Sequence, residues 1–286
     1  MNAHIVPVFR TTEALRQQMR VWRRAGETVA LVPTMGALHR GHLALAEEGR
    51  KRATKVIASI FVNPTQFAPT EDFAAYPRTI ESDLAQLAEV RADGCFAPRM
   101  DDVYPNGFCT TVTLEGPAKA GLEDRFRPKH FAGVATVVAK LLNQAMPDVA
   151  VFGEKDYQQL LVIRRMARDL DLPVEIAGLP TVREDDGLAL SSRNVYLSAE
   201  ERVVAPALHE ALQACAHAIA AGTSIADAVS VARNAVEGRG FAVNYLEARH
   251  AETLAALTTA TDGPIRLLVA AKLGRTRLID NIGVPA

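Results

Sequence analysis

Two histidines, three positions apart, stand where a chain can meet an anion. The string Pro33-Thr34-Met35-Gly36-Ala37-Leu38-His39-Arg40-Gly41-His42 follows a β-branched run, Thr28 to Val32, and precedes a helical stretch from about Gly41 to Ala53. At such a strand-to-helix junction, backbone N–H groups and the helix dipole favour phosphate. Gly36 and Gly41 let the backbone come close to a ligand. If the first helical turn has begun, His39 and His42 project on one face and add imidazole donors to that anion site. The alternatives are a metal-binding pair or a surface coincidence. Zinc wants at least three protein ligands, and no nearby Cys or Glu completes a spacing.

Three more clusters follow. Asn63 and Gln66, in Phe61-Val62-Asn63-Pro64-Thr65-Gln66-Phe67, offer donors and acceptors at the end of a second apolar run, Val56 to Val62, which suits an uncharged, polyhydroxylated ligand. The same residues also fit a plain Asn-Pro turn. Phe152-Gly153-Glu154-Lys155-Asp156-Tyr157-Gln158-Gln159 marks another strand-to-helix junction. There Gly153 allows close approach, Lys155 can neutralise phosphate and Asp156 can accept from ribose hydroxyls, although charged residues at a helix start are usually just solvated. In Ala189-Leu190-Ser191-Ser192-Arg193-Asn194-Val195-Tyr196-Leu197, two hydroxyls beside a guanidinium match a polyphosphate tail, or form an ordinary polar loop.

The elements around these clusters alternate. Thr28 to Val32, the helix from Gly41 and Val56 to Val62 make one βαβ unit; a helix capped by Thr79 and running through Val90, a short strand Gly94 to Ala97, an apolar helix Phe131 to Met146, and strands Asp148 to Phe152 and Val174 to Ala177 flanking a helix from Tyr157 to Leu170 extend it. That alternation predicts a parallel sheet. Tyr104 to Lys129, rich in Gly, Pro and charge, reads as a long loop of the sort that serves as a lid. Near residue 180 the composition changes. Ser198 and Glu201 have capping-box spacing and open an Ala-rich helix ending at Gly222, a second helix covers Ser224 to Val236, and Val243 to Ala248, Ile265 to Ala271 and Leu278-Ile279 read as strands.

Composition argues against several classes. The 286 residues are 49% hydrophobic, and 32 Lys plus Arg against 33 Asp plus Glu leave a net charge of -1. A dedicated nucleic-acid binder carries a basic surplus. No apolar stretch approaches a bilayer span, and the segment from Met1 to His4 lacks the basic start of a secretory leader. Cys95, Cys109 and Cys215 are odd in number and form no C-x-x-C pair, which argues for a reducing cytoplasm and against a disulfide framework. His4, His209, His217 and His250 fall in no constellation and are expected on the surface or a helix face.

The first cluster resembles the H-x-G-H signature of the nucleotidyltransferase superfamily, and the longer PTMGALHRGH is similar to the pantothenate synthetase family in particular, as are the three later clusters, in order, over residues 33 to 197. The resemblance implies a Rossmann-like parallel-sheet domain at 1–180 and a smaller C-terminal α+β domain at 181–286 that closes over it. It implies an ATP-dependent ligase: pantoate is activated as an adenylate with loss of pyrophosphate, then β-alanine attacks and AMP leaves. On these positions it places ATP against Met35, Gly36, Ala37, Leu38, His39, Arg40, Gly41 and His42, against Gly153, Glu154, Lys155 and Asp156, and against Val182, Leu190, Ser191, Ser192 and Arg193, with the Val182 backbone on adenine. Pantoate would be held by Gln66 and the Gln159 amide, with Asn63 beside them and His130 near the attacking amine. His42, His39, Lys155, Ser192 and Arg193 would carry the chemistry by positioning and charge stabilisation.

The block Arg127 to Val134 also resembles the family, with Lys129 where the family has Gly. Magnesium is expected on the nucleotide phosphates. Asp83, with Glu81, is a candidate to approach it, although both also read as acids of a helix N-terminus. A homodimer is a further implication. An adenylyltransferase acting on a phosphorylated precursor would need a second phosphate site, which the glutamine pair suits poorly. A non-catalytic nucleotide sensor would have no use for His42, Lys155 and Arg193 together, and a tRNA-synthetase-like role lacks an anticodon-binding extension and a basic surplus.

Overall fold

The computed structural model describes residues 4–69, 71 and 73–285, so Met1 to Ala3, the start of the segment read for a leader, lie outside the described residues. The chain divides into two compact units, one made of the chain through Glu154 together with Val162–Pro180, the other of Lys155–Leu161 and the chain from Thr181.

The first unit is built on six strands, β1 Val8–Phe9, β2 Val29–Thr34, β3 Lys55–Ile60, β4 Gly94–Phe96, β5 Val149–Gly153 and β6 Glu175–Leu179, in the order β1-β4-β3-β2-β5-β6. Every pairing is parallel. The expected Rossmann-like sheet is therefore present, and its central strands are near-continuous apolar runs because helices cover both faces. From β2 the chain winds one way through β3 and β4, and β5 and β6 lie on the other side, so the order reverses between β2 and β5. Ligands of such sheets bind outside the carboxyl ends at that reversal. The PTMGALHRGH loop leaves the end of β2, and Gly153 ends β5.

Two elements before β2 go beyond the expected set: β1 and the helix Thr12–Arg24, capped by the Thr11 side chain on the Ala14 amide. The helix's apolar residues, Leu15, Met19 and Trp22, recur at a spacing that fits one buried face. The long segment after Tyr104 is ordered into short turns, Gly116–Lys119 and Glu123–Phe126, and its Leu122 is fully buried.

The second unit carries an antiparallel sheet of β7 Ala242–His250, β8 Ile265–Leu273 and β9 Thr276–Gly283 in that order. The helices Ala207–Ala220 and Ile225–Gly238 share an apolar core with it, built around Leu212, Val236, Leu246 and Leu267. The single Ala-rich helix expected from Ser198 to Gly222 is instead two, Ala199–Val204 and Ala207–Ala220. Pro206 separates them, since proline lacks the N–H and its ring clashes with the preceding turn. The Ser198–Glu201 capping box forms as the spacing predicts. Lys155–Leu161 joins this unit: Asn281 Nδ2 donates to the Lys155 carbonyl at 2.8 Å, the Tyr157 hydroxyl donates to the Ala251 carbonyl at 3.0 Å, and the Arg266 guanidinium lies 4.1 Å over the Tyr157 ring. No helix among the described residues is long and apolar enough to cross a membrane.

Candidate active site

After β2 the chain turns through two successive left-handed residues, Gly36 (φ 82°) and Ala37 (φ 49°). The next helix, Arg40–Arg52, begins with His39 as its N-cap. His39 Nδ1 accepts the Gly41 amide at 3.1 Å, and His42 Nδ1 accepts the His39 amide at 3.3 Å. This is a capping box written with imidazoles instead of Ser and Glu. It fixes chemistry as well as structure. A ring whose Nδ1 accepts carries its proton on Nε2 when neutral, and the two ring centroids lie 4.1 Å apart.

The loop's amides, expected to meet phosphate, are mostly used internally. The Gly36 amide donates to Thr34 Oγ1 at 3.2 Å, and those of Ala37 and Leu38 donate to the two oxygens of the Asp83 carboxylate at 3.1 and 2.9 Å. The amides of His42 and Leu43 both go to the His39 carbonyl. Arg40, between the two histidines in sequence, is exposed.

At the end of β3, Asn63 is 1% exposed and hydrogen-bonded throughout. Its Oδ1 accepts from the Tyr104 hydroxyl at 2.8 Å and the Thr65 hydroxyl at 2.9 Å, and its Nδ2 donates to Gln66 Oε1 at 3.0 Å and the Gly133 carbonyl at 3.2 Å. The bond from Nδ2 orients Gln66. With its oxygen occupied, the Gln66 amide turns its NH2 outward, toward Met35 Sδ at 3.3 Å. Met35 thus ties the β2 loop to the β3 loop. Burial raises the pKa of the Tyr104 phenol, keeping it a donor. Gly133 is required where it stands, because a Cβ there would lie 2.4 Å from the Thr65 carbonyl oxygen.

His130 is also built in. Its Nδ1 donates to the Gln66 carbonyl at 2.9 Å and its Nε2 accepts from Arg127 at 3.2 Å, while Arg127 grips Glu71 through two bonds of 2.6 and 3.0 Å. Lys129, where the resemblance leads us to expect Gly, has φ -99° and is exposed, so no glycine-specific conformation is needed there. Thr79 occupies the N-cap position of the helix Ile80–Glu89 without capping it; its hydroxyl donates to Asp83 at 3.1 Å instead.

In the second unit the residues 182–193 form a pinned loop. Leu190 N–H donates to the Val182 carbonyl at 3.0 Å, Ser191 Oγ accepts from the Arg193 amide at 3.2 Å, and the turn Ser192–Tyr196 follows. The loop is anchored from beneath by Asp280 of β9. That carboxylate, 4% exposed, accepts two bonds from Arg183 at 2.7 and 2.9 Å, and His209 Nδ1 stands 3.3 Å away. Burial alone would raise the Asp280 pKa, but His209 and Arg183 together hold it below the ordinary carboxylate value. His209, expected to lie outside any constellation, is part of this anchor. Lys155, Gln159, Ser192 and Arg193 are half-buried and Asp156 is exposed.

No three His, Cys, Asp or Glu side chains group as metal ligands among the described residues. Asp83, the sequence candidate for magnesium, has both oxygens committed to amides. Among the described residues, then, the side chains do not form a cage for a resident metal. The cysteines are all free, with burial pushing Cys95 up to about 12 and Cys215 up to about 11.

Known proteins add an independent line. The family model for pantoate-beta-alanine ligase matches residues 7–283. The chain is 59% identical over 277 residues to a pantothenate synthetase of Bradyrhizobium sp. (strain BTAi1), with 97% of this chain and 98% of the relative covered, and 57% identical with the same coverage to one of Nitrobacter hamburgensis. Among solved structures it is similar to the pantothenate synthetase of Thermus thermophilus, at a TM-score of 0.91 and 49% identity over 98% of this chain and 99% of that one. It is also similar to a pantoate-beta-alanine ligase of Francisella tularensis, solved with β,γ-ATP and β-alanine, at a TM-score of 0.80 and 31% identity over 97% of each chain.

Proposed function

The chain belongs to the pantoate–β-alanine ligase family and is an ATP-dependent ligase that joins pantoate to β-alanine; from that premise we propose how its residues divide the work. The pantoate carboxylate attacks the α-phosphorus of ATP, forming the pantoyl adenylate and expelling pyrophosphate. The β-alanine amine then attacks the activated carbonyl, and AMP departs as pantothenate forms. No covalent enzyme nucleophile is required.

The observation that carries this reading is the imidazole pair. With both Nδ1 atoms accepting backbone amides, the neutral His39 and His42 rings carry their protons on Nε2, from which they stabilise charge building on the phosphate oxygens during transfer. Lys155, Ser192 and Arg193 supply the remaining positive charge and donors, and Gly153, Glu154, Asp156, Val182, Leu190 and Ser191 complete the nucleotide's surroundings. Gln66 and Gln159 hold the pantoate hydroxyls and carboxylate. Asn63 and His130 act on that substrate by holding Gln66 in place. Magnesium would arrive with the nucleotide's phosphates and neutralise part of their charge. The enzyme works in the cytoplasm as a homodimer, and residues 181–286 serve as a closing domain.

A substrate-omission assay tests the reading. Pyrophosphate release should need ATP, magnesium and pantoate, whereas AMP release should need β-alanine as well, because an adenylate shielded from water waits for its amine. Equal AMP release without β-alanine would count decisively against it. Sedimentation at working concentration checks the homodimer.

A further inference from the structure

Asp83 is a buried acid of the first unit. It is 1% exposed, and its partners are all neutral: the Ala37 and Leu38 amides on separate oxygens, and the Thr79 hydroxyl. Among the described residues no lysine, arginine or histidine forms an ion pair with it. A buried carboxylate without a cation is costly, and proteins keep one only where its geometry does something a neutral side chain cannot. Here the geometry is specific. Successive amides in a turned backbone form a small concavity for an anion, and Asp83 fills it from within the protein. The turn it grips contains the two left-handed residues ahead of His39, one of them an alanine, and such backbone persists only when its surroundings over-determine it. There is no slack. A Cβ on Gly36 would come within 3.0 Å of Asp83 Oδ2 and 3.1 Å of the Ile60 side chain.

We propose that Asp83 is a positioning residue for nucleotidyl transfer: its carboxylate clamps the Ala37–Leu38 turn and so sets where the His39–His42 pair presents its Nε2 protons. This rests on the ligase reading above. Asp83 touches no reacting atom. It acts through the backbone, which delivers His39 one residue beyond the second clamped amide. Asparagine is the informative replacement, because it matches aspartate in shape but must turn an NH2 toward one of two N–H donors, breaking one bond and opposing dipoles.

The test is single-turnover pyrophosphate release by the full chain at saturating ATP and pantoate, read alongside amide NMR of residues 37 and 38. Release by the wild-type chain decides the ligase reading by itself. Given that release, Asp83→Asn should slow it at least about tenfold while the KM for pantoate moves less than about threefold, the signature of a contact realised in the transition state. The Ala37 and Leu38 amide protons should move upfield together. A folded Asp83→Asn chain with shifted amides and an unchanged rate overturns the proposal, as does a rate loss wholly accounted for by the unfolded fraction in thermal melting. Should that variant not fold, Gly36→Ala, which pushes on the clamp while keeping the carboxylate, is read the same way. The wild-type chain supplies a measurement that needs no variant: the 37 and 38 amides lie outside any helix or strand and should exchange with deuterium slowly, and exchange at the rate of an open loop would sink the clamp.

Discussion

In the loop from Pro33 to His42 a buried carboxylate answers to backbone amides and a hydroxyl, whereas under the loop at 182–193 a buried carboxylate answers to a guanidinium and an imidazole. Both arrangements pin a loop that the family resemblance assigns to nucleotide. Their electrical consequences differ. Asp280 is neutralised by Arg183, so its network is mainly a store of stability, and removing one partner strands the other in low dielectric. Asp83 has no cationic partner among the described residues, so what it provides is geometry for the loop that leads into His39 and His42. One loop is held by paired charge and the other by directed hydrogen bonds. The same residue type does both because the backbone offers donors in one place and β9 faces a cation in the other.

The largest expected effect breaks the second arrangement. Asp280→Ala should cost about 3 to 5 kcal/mol of stability, because Arg183 is left charged and largely buried. Denaturant unfolding measures it, and a loss below about 1 kcal/mol would mean that Arg183 finds water instead. The same pair gives a pH dependence with a definite sign. The folded pKa of Asp280 lies below its unfolded value, so its contribution is complete above the ordinary carboxylate range and disappears as pH falls through the lower, folded value. Wild-type stability against denaturant should therefore fall on acidification more steeply than that of Asp280→Asn.

On the first loop, His42→Ala should slow adenylate formation at least about a hundredfold, roughly 2.7 kcal/mol of transition-state stabilisation, read on a chain that thermal melting shows to be folded. Near-normal single-turnover pyrophosphate release would return the two histidines to coincidence. Next in size, Gln66→Ala and Gln159→Ala should each weaken pantoate by about 1 to 3 kcal/mol and leave ATP binding to the free enzyme nearly untouched, which titration calorimetry reads directly. Equal losses for ATP would redraw the division of the pocket. The smallest effect separates holding a residue from being one that binds. Tyr104→Phe removes one hydrogen bond to Asn63 and keeps the ring between Phe61 and Phe108, so pantoate affinity should fall by about 1 kcal/mol with kcat nearly constant. A fall in kcat alone would place Tyr104 closer to the chemistry than its contacts indicate.

Much of this protein is legible in its residues taken in order. Alternating apolar runs and helical periods call for a parallel sheet, because burial on both faces leaves strands no polar side, and the capping box at Ser198 and the strands at 243–248 and 265–271 follow from local rules that need no partner. His39, His42, Gln66 and Lys155 stand out because their types and spacing are themselves the chemistry. Other features depend on contacts distant in sequence. Asp83 looks like a helix-start acid until it is seen across 45 residues from Leu38, Tyr104 sits in a segment without periodicity, and His209 has no local company to give it meaning. Even the assignment of Lys155–Leu161 to the second unit is made by Asn281 and Arg266, far along the chain. Local sequence determines what a segment can form and what a side chain can do. Which amides a carboxylate will reach, which tautomer an embedded ring must take and which charges end up paired are settled only when folding removes water and brings those groups within hydrogen-bond range.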